Sequence, residues 1–256
     1  MDLKLVLKKL IYPWIIFVFL ILLWIVSSSF QSFKTDAFPT FSIFLDSSLS
    51  EIKSGRLISD TLASFFRLLF GFTLSALVGI PAGLLLGKSP TAREILLPAF
   101  NFLRSLSPLA WIPFAVIWFG IGDLPVIFLI FLGCVFPLMF ATFNAVLNTP
   151  KIYDQLASDF NFQKLEYWQF ILIPALMPQI VSSLRLVAAL AWIILVPAEM
   201  LAGQQGLGYA ILDARNGMRS DLLVLNMVAI GLYAQILDRL LEKWANDSKL
   251  KWSYEQ

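Results

Sequence analysis

Histidine is missing from all 256 residues, and cysteine occurs once, as Cys134. The first absence removes the commonest general base and the commonest metal ligand. A lone cysteine closes no internal disulfide and builds no thiolate metal cluster. Set inside an apolar run, Cys134 reads as a small core residue. Charge is scarce too. Only 14% of residues are charged, against about 25% in soluble domains. A net charge of +2 provides no basic surface for nucleic acid. Nothing in the chain reads G-x-x-x-x-G-K-[ST], the loop that cradles nucleotide phosphates. The sequence therefore predicts no catalytic residue, no metal ligand and no cofactor bound by this chain. A membrane-embedded enzyme is disfavoured further, because no carboxylates cluster inside the apolar runs.

What the chain has instead is hydrophobic length. Hydrophobic residues make up 59% of it, more than the ~45–50% of a soluble domain. They gather in runs at about Leu10–Val26, Thr61–Leu86, Leu97–Trp118, Leu124–Leu147, Leu176–Pro197 and Leu222–Leu240. Each can cross ~30 Å of hydrocarbon at ~1.5 Å per residue. The first run follows Lys4, Lys8 and Lys9, as a signal peptide would. It is longer than a signal core and no small-x-small cleavage site follows, so it reads as an uncleaved helix. Residues 27–59 read as a loop with a short amphipathic helix at the interface. Pro108 and Pro113 interrupt the third run, and residues 202–221 read as a loop rich in glycine and charge.

With the N-terminus inside, inner segments carry eleven Lys and Arg and outer segments five. That bias predicts an all-α membrane protein of six transmembrane helices with both termini cytoplasmic. The expected divisions are 1–60, an N-terminal helix and extracytoplasmic interfacial segment; 61–245, the transmembrane core; and 246–256, a cytoplasmic tail. No internal repeat is visible, so the inverted-repeat plan of many secondary carriers is not supported.

Three groups of residues stand out. Ser75, Gly79, Gly83 and Gly87 recur every four positions, which puts small side chains on one helix face where another helix can approach. Pro81 in the same run is expected to bend it. Arg67, Arg104 and Arg185 fall within or at the edges of spans. Such charges need water, a partner or a route to the headgroups. They are candidates for an anion pathway or gate, or for snorkelling near helix ends, the reading favoured here. Glu199, closing the fifth run beside Pro197, is a further pathway or gate candidate and could pair with a basic group across the outer face.

The third group is the polar stretch before Pro174. Gln155, Leu156, Ala157, Asp159, Phe160, Asn161, Lys164, Trp168, Ile171, Ile173 and Pro174 mark its pattern. It resembles the loop of binding-protein-dependent ABC importer permeases: Glu-Ala-Ala, three residues, Gly, nine residues, Ile-x-Leu-Pro. Gln155 stands at the Glu, Leu156 and Ala157 at the alanines, Asn161 at the Gly. Ile171, Ile173 and Pro174 take the final positions. Asn is the non-glycine residue that best tolerates left-handed backbone, so the family's turn is expected to survive. Three further runs resemble the same family in order and spacing. They are Ser64-Phe-Phe-Arg67 with Gly79 to Gly87, Arg104 to Pro113 with Trp118-Phe-Gly120, and Ala198-Glu199 with Gly203-Gln-Gln-Gly206-Leu-Gly208. Within the family they most resemble the nitrate, sulfonate, taurine and bicarbonate group.

The resemblance implies the six-helix ABC importer permease (MetI-like) fold, with residues 148–174 as a coupling loop seated on an ATPase. It further implies a second copy of this chain, two ABC ATPase subunits that bind ATP and Mg, and an extracytoplasmic substrate-binding protein. A small oxyanion is the expected solute. The alternative from another class is a secondary carrier or channel that uses the intramembrane arginines without an ATPase.

Overall fold

A computed structural model describes residues 19, 22–26, 39–150 and 152–245, with the backbone alone at Asp154, Lys164, Trp244 and Ala245. The first apolar run is thus described only at 19 and 22–26. Most of it, the tail 246–256 and Lys4, Lys8, Lys9, Lys34, Lys151, Lys249 and Lys251 lie outside the described residues. Among the described residues every regular element is helical. Helix α1 is Phe41–Ser54, α2 Arg56–Lys88, α3 Pro90–Ser105, α4 Ile112–Phe119 and α5 Asp123–Leu147. After these come α6 (Ile152–Asp159), α7 (Tyr167–Ala202), α8 (Leu207–Asn216) and α9 (Ser220–Ala245). Four of them, α2, α5, α7 and α9, are long and apolar enough to cross a membrane. The count reaches five if α3 and the segment Pro108–Phe119 form one broken span.

Helices α2 and α5 form the central pair. Gly71, Ser75, Gly79, Gly83 and Gly87 are all buried along one face of α2, and α5 lies directly on that face. A Cβ at Gly79 would sit 2.7 Å from the Val135 carbonyl oxygen, and one at Gly83 2.7 Å from Thr142 Cβ. No side chain fits there, so the backbones meet. Ser75 Oγ adds a 3.1 Å hydrogen bond to the Phe131 carbonyl of α5, beside its bond to Gly71 O in its own helix. Small-residue contacts of this kind drive helix pairing in lipid, where burial from water offers no force. Helix α7 then packs on α5, and Leu129, Ile130, Cys134, Leu138, Ala191 and Leu195 are buried in the largest apolar cluster. Cys134 is thus a core residue.

Two expectations from the sequence change. The third run is broken rather than merely interrupted: α3 and Pro108–Phe119 meet at 86°. Leu106 and Ser107 take extended backbone, at ψ 133° and 129°. A residue before proline is pushed out of the helical region by the proline ring, so Ser107-Pro108 turns the chain where Pro113, already in a first turn, does not. Residues 202–221 are not all loop either. Leu207–Asn216 is a ten-residue helix, between Gly206 and Gly217. Helix α2, for its part, continues through Pro81 to Lys88.

The ends of the bundle differ. One end gathers the start of α2, the start of α5, the close of α7, all of α8 and the start of α9; Gly122 N–H donates to Ala202 O there at 2.9 Å. The opposite end gathers Lys88, Leu147, α6 and Tyr167. Helix α1, expected as the amphipathic segment, has no buried residue and ends on Gly55 at φ 78°. Its Ser47 hydroxyl donates to Asp221 at the start of α9.

The contact between α2 and α5 yields a prediction. Gly83→Val is expected to destabilise the folded chain by about 1–3 kcal/mol, the usual penalty of overpacking. Gly231→Ala, where an added Cβ meets nothing within 4 Å, is expected to leave it unchanged. Thermal unfolding in detergent, followed by loss of the monodisperse size-exclusion peak, checks the pair.

Candidate functional site

Asp60, Ser64 and Arg67 stand at i, i+4 and i+7 on α2, which puts them on one helix face. All three are buried, Arg67 at 2% exposure. Glu199, in the last turn of α7, is fully buried. Its carboxylate accepts from Arg67 Nη1 at 2.7 Å, from Gly208 N–H at 2.9 Å, and from the Ser64 hydroxyl, shared between its oxygens at 2.8 and 2.9 Å. Arg67 turns its Nε to Asp123 Oδ1, on the first residue of α5, at 2.7 Å. Its Nη1 also donates to the Gln205 carbonyl. Buried charges persist only when they are paired and hydrogen-bonded, and here each is.

The same side chains hold the start of α8. Asp60 accepts from Gly206 N–H at 3.0 Å, Ser64 Oγ from Leu207 N–H at 2.9 Å, and Glu199 from Gly208 N–H. Three successive amides that a helix start leaves unpaired are thus capped by groups from two other helices. The negative charge lies where the helix dipole favours it. Gly206 has φ 113°, and a Cβ on it would lie 2.6 Å from Glu199 Cδ; a Cβ at Gly208 would lie 2.8 Å from Glu199 Cβ. Glycine at both positions lets α8 approach the carboxylate.

This arrangement corrects the expectation that Arg67 reaches for headgroups. A long side chain near a helix end can snorkel, but here two carboxylates and a carbonyl draw the guanidinium inward. Reading from the sequence singled out Arg67 and Glu199 but missed Asp60, Ser64, Asp123 and Gln205 as their partners. The i, i+4, i+7 spacing of Asp60, Ser64 and Arg67 was the available signal. Arg56 reaches the cluster's edge, 3.7 Å from Asp60, but Arg104 and Arg185 are not brought to it. Arg185 makes a two-point contact with Asp238 of α9 at 3.0 and 3.1 Å, with Glu242 at 3.6 Å. Arg104, on α3, lies over the Phe140 ring at 4.5 Å.

At the opposite end, α6 stops in a Schellman turn. Phe162 N–H reaches back to Ala157 O at 3.0 Å and Asn161 N–H to Ser158 O at 3.1 Å, the paired bonds of that motif. Asn161 sits at φ 51°, the left-handed conformation that the family's glycine would supply. Gln163 N–H bonds Glu166 Oε2 at 2.8 Å and starts the helical turn that leads into α7. The first six residues of α7, Tyr167–Leu172, wind as a π-helix. Gln155, Asp159 and Asn161 are exposed, as are Leu156, Phe160 at 73%, Leu165 at 68% and Ile173. Trp168 instead packs on the cluster of Ala145, Val146, Leu172 and Leu176. Ala157, Ile171 and Pro174 are half-buried, and the Lys164 side chain lies outside the described residues. Lys88, closing α2, donates to Tyr167 Oη at 2.6 Å. A cavity of about 460 Å³ opens between Asn148, Tyr153 and Gln179.

Breaking the Arg67 cluster is expected to be costly in proportion to burial. Glu199→Ala leaves a buried guanidinium, a hydroxyl and an amide without their acceptor, a loss of about 3–5 kcal/mol. Asp123, 58% exposed in its side chain, contributes less: Asp123→Asn is expected to change stability by under about 1 kcal/mol. Chemical unfolding of the two variants in the same detergent measures both.

Residues 79–246 match the family described as binding-protein-dependent transport system inner membrane component. An ABC transporter permease of Methanocaldococcus jannaschii is 36% identical over 200 residues, covering 78% of this chain and 74% of that one. The bicarbonate transport system permease CmpB of Synechococcus elongatus is 33% identical, covering 72% and 68%. The nitrate import permease NrtB of Leptolyngbya laminosa is 34% identical, covering 70% and 64%. Among solved structures, an inward-facing MetNI methionine ABC transporter superposes with a TM-score of 0.60 at 18% identity. That match covers 75% of this chain and 97% of the other, and it shows the fold. With this fold, and with relatives of this identity along most of its length, the chain belongs to the binding-protein-dependent inner membrane components, the multi-pass permeases of ABC importers.

Proposed function

We propose that two copies of this chain form the translocation pathway of an ATP-driven importer for a small oxyanion, such as nitrate, sulfonate, taurine or bicarbonate. Two ABC ATPase subunits bind ATP and Mg beneath the pathway, and an extracytoplasmic binding protein delivers the solute above it. This chain itself binds no cofactor and does no catalysis. The observation that carries the coupling role is the surface of α6 and the turn after it. Leu156, Phe160 and Leu165 are large, apolar and exposed beside Gln155 and Asp159, on a rigid turn at one end of the bundle. Such a mixture of apolar anchors and polar rim suits a docked element. Relatives that import bicarbonate and nitrate support the solute class.

The Lys and Arg bias supports a cytoplasmic position for this loop and for both termini, with Leu10–Val26 as the sixth span. The Arg67–Glu199 cluster then lies at the outer end. There it acts as a lock that makes α2, α5, α7 and α8 one body, rather than as a pore lining. Closure of the ATPases moves the loop, and α7, continuous with it, carries the displacement to that body. Rigid-body motion of this kind is what alternating access requires.

Replacement of Asn161 tests the coupling role. Asn161→Gly is expected to keep the ATPase bound through detergent purification. Asn161→Val, whose branched side chain resists positive φ, is expected to lose most of it. A wild-type chain that carried no ATPase, and moved anions on a gradient alone, would sink this reading in favour of a secondary carrier or channel.

A further inference from the structure

The three arginines of the apolar runs are not in equivalent positions. Arg67 faces two carboxylates and Arg185 faces two more. Arg104 faces none among the described residues; it lies over the Phe140 ring. The guanidinium lies at membrane depth. Phe140 is seven residues before Leu147, the end of α5, so it sits roughly 10 Å inside that end. The 25 residues of α5 exceed the ~30 Å hydrocarbon thickness by only about 7 Å. Helix α3, which carries Arg104, has no buried residue. Asn101, Arg104 and Ser105, at i, i+3 and i+4, are all exposed and share one face. The sharp break at Leu106–Ser107 follows at once.

A charged face at this depth does not stand against lipid tails. Intramembrane charges turn to protein or to water-filled cavities, and they mark solute routes. Backbone broken at membrane depth is likewise tolerated where it lines such a cavity. The guanidinium lies over the Phe140 ring at 4.5 Å, and no described residue takes its N–H groups, which suit two-point contact with an oxyanion. We infer that the Asn101–Arg104–Ser105 face of α3 lines the aqueous pathway, and that Arg104 is the cation an oxyanion meets in transit. This rests on the importer reading above and narrows its candidate pathway residues to one.

The test uses the complete transporter in proteoliposomes, with nitrate and bicarbonate as solutes. Arg104→Gln is expected to lower anion uptake per ATP hydrolysed at least tenfold, and Arg104→Lys to fall between it and wild type. Arg104→Cys, in a Cys134→Ala background, is expected to react with water-borne thiosulfonate reagents. Restoring a positive charge with the aminoethyl reagent should recover uptake, and the neutral methyl reagent should not. Wild-type uptake by Arg104→Gln, equal recovery with the neutral reagent, or no labelling would each overturn the assignment. If the unmodified transporter imports neither anion, the oxyanion reading itself falls, and so does the anion contact. The labelling arm then decides alone whether this face is wet: reaction supports the placement and its absence overturns it.

Discussion

A guanidinium with almost no exposure to solvent is the constraint on which this structure depends. Burying Arg67 is tolerable because Glu199 meets it inside the bundle, with Asp123 at its more exposed side and the Gln205 carbonyl as a further acceptor. Those partners oblige α2, α5 and α7 to converge at one end of the bundle. Glu199 in turn has oxygens left over, and they go to Ser64 and to the start of α8. A ten-residue helix with two glycines at its head has little tendency to form by itself. It forms here because three amides find acceptors nowhere else. Breaking such a pair is far more expensive than never having made it, so the cluster specifies an arrangement more than it adds stability.

The contact between α2 and α5 works by the opposite means. Along Gly79, Gly83 and Gly87 there is no charge and hardly any side chain. Fit comes from backbone lying on backbone, with Ser75 giving the one cross-helix hydrogen bond among them. One end of α2 is therefore fixed by electrostatics and the rest by shape. Helix α3, which follows it, is held differently: Arg93 donates to the Leu86 and Gly87 carbonyls at the end of α2, and Leu96, Leu97 and Phe100 pack on Met139, Phe140 and Phe143 of α5.

Much of the fold was legible before any coordinates. The runs behind α2, α5, α7 and α9 are long, apolar and bounded by charge, and a bilayer leaves such runs little choice but helix. The four-residue repeat of small residues marked a contact face, and Asn161 marked a left-handed turn. The arginine partners were harder to see. Arg67 and Glu199 stand 132 positions apart, and sequence shows a charge without showing what it faces. Arg67 and Arg104 look alike in a string of letters; one is enclosed by carboxylates and the other lies on an aromatic ring. Helix α8 was hidden because it is short, its head is glycine-rich and charged residues follow it. Capping from α2 and α7 overrides that local preference, and no window confined to residues 202–221 contains it. The break at Ser107 was local but not distinguishable: Pro98, Pro108 and Pro113 look alike as letters, and only Pro108 follows residues in extended backbone.

The wide spacing of the cluster along the chain also has a consequence for how the protein is made. Synthesis runs from the N-terminus, so Arg67 emerges 56 residues before Asp123 and 132 before Glu199. A new α2 thus enters the bilayer carrying an arginine whose buried partner does not yet exist. Of the two carboxylates that pair with it, Asp123 is made first, at the start of α5. Glu199 then completes the cluster when α7 arrives. Gln205 and the amides of α8 follow still later, so this lock can close only after most of the bundle has been made.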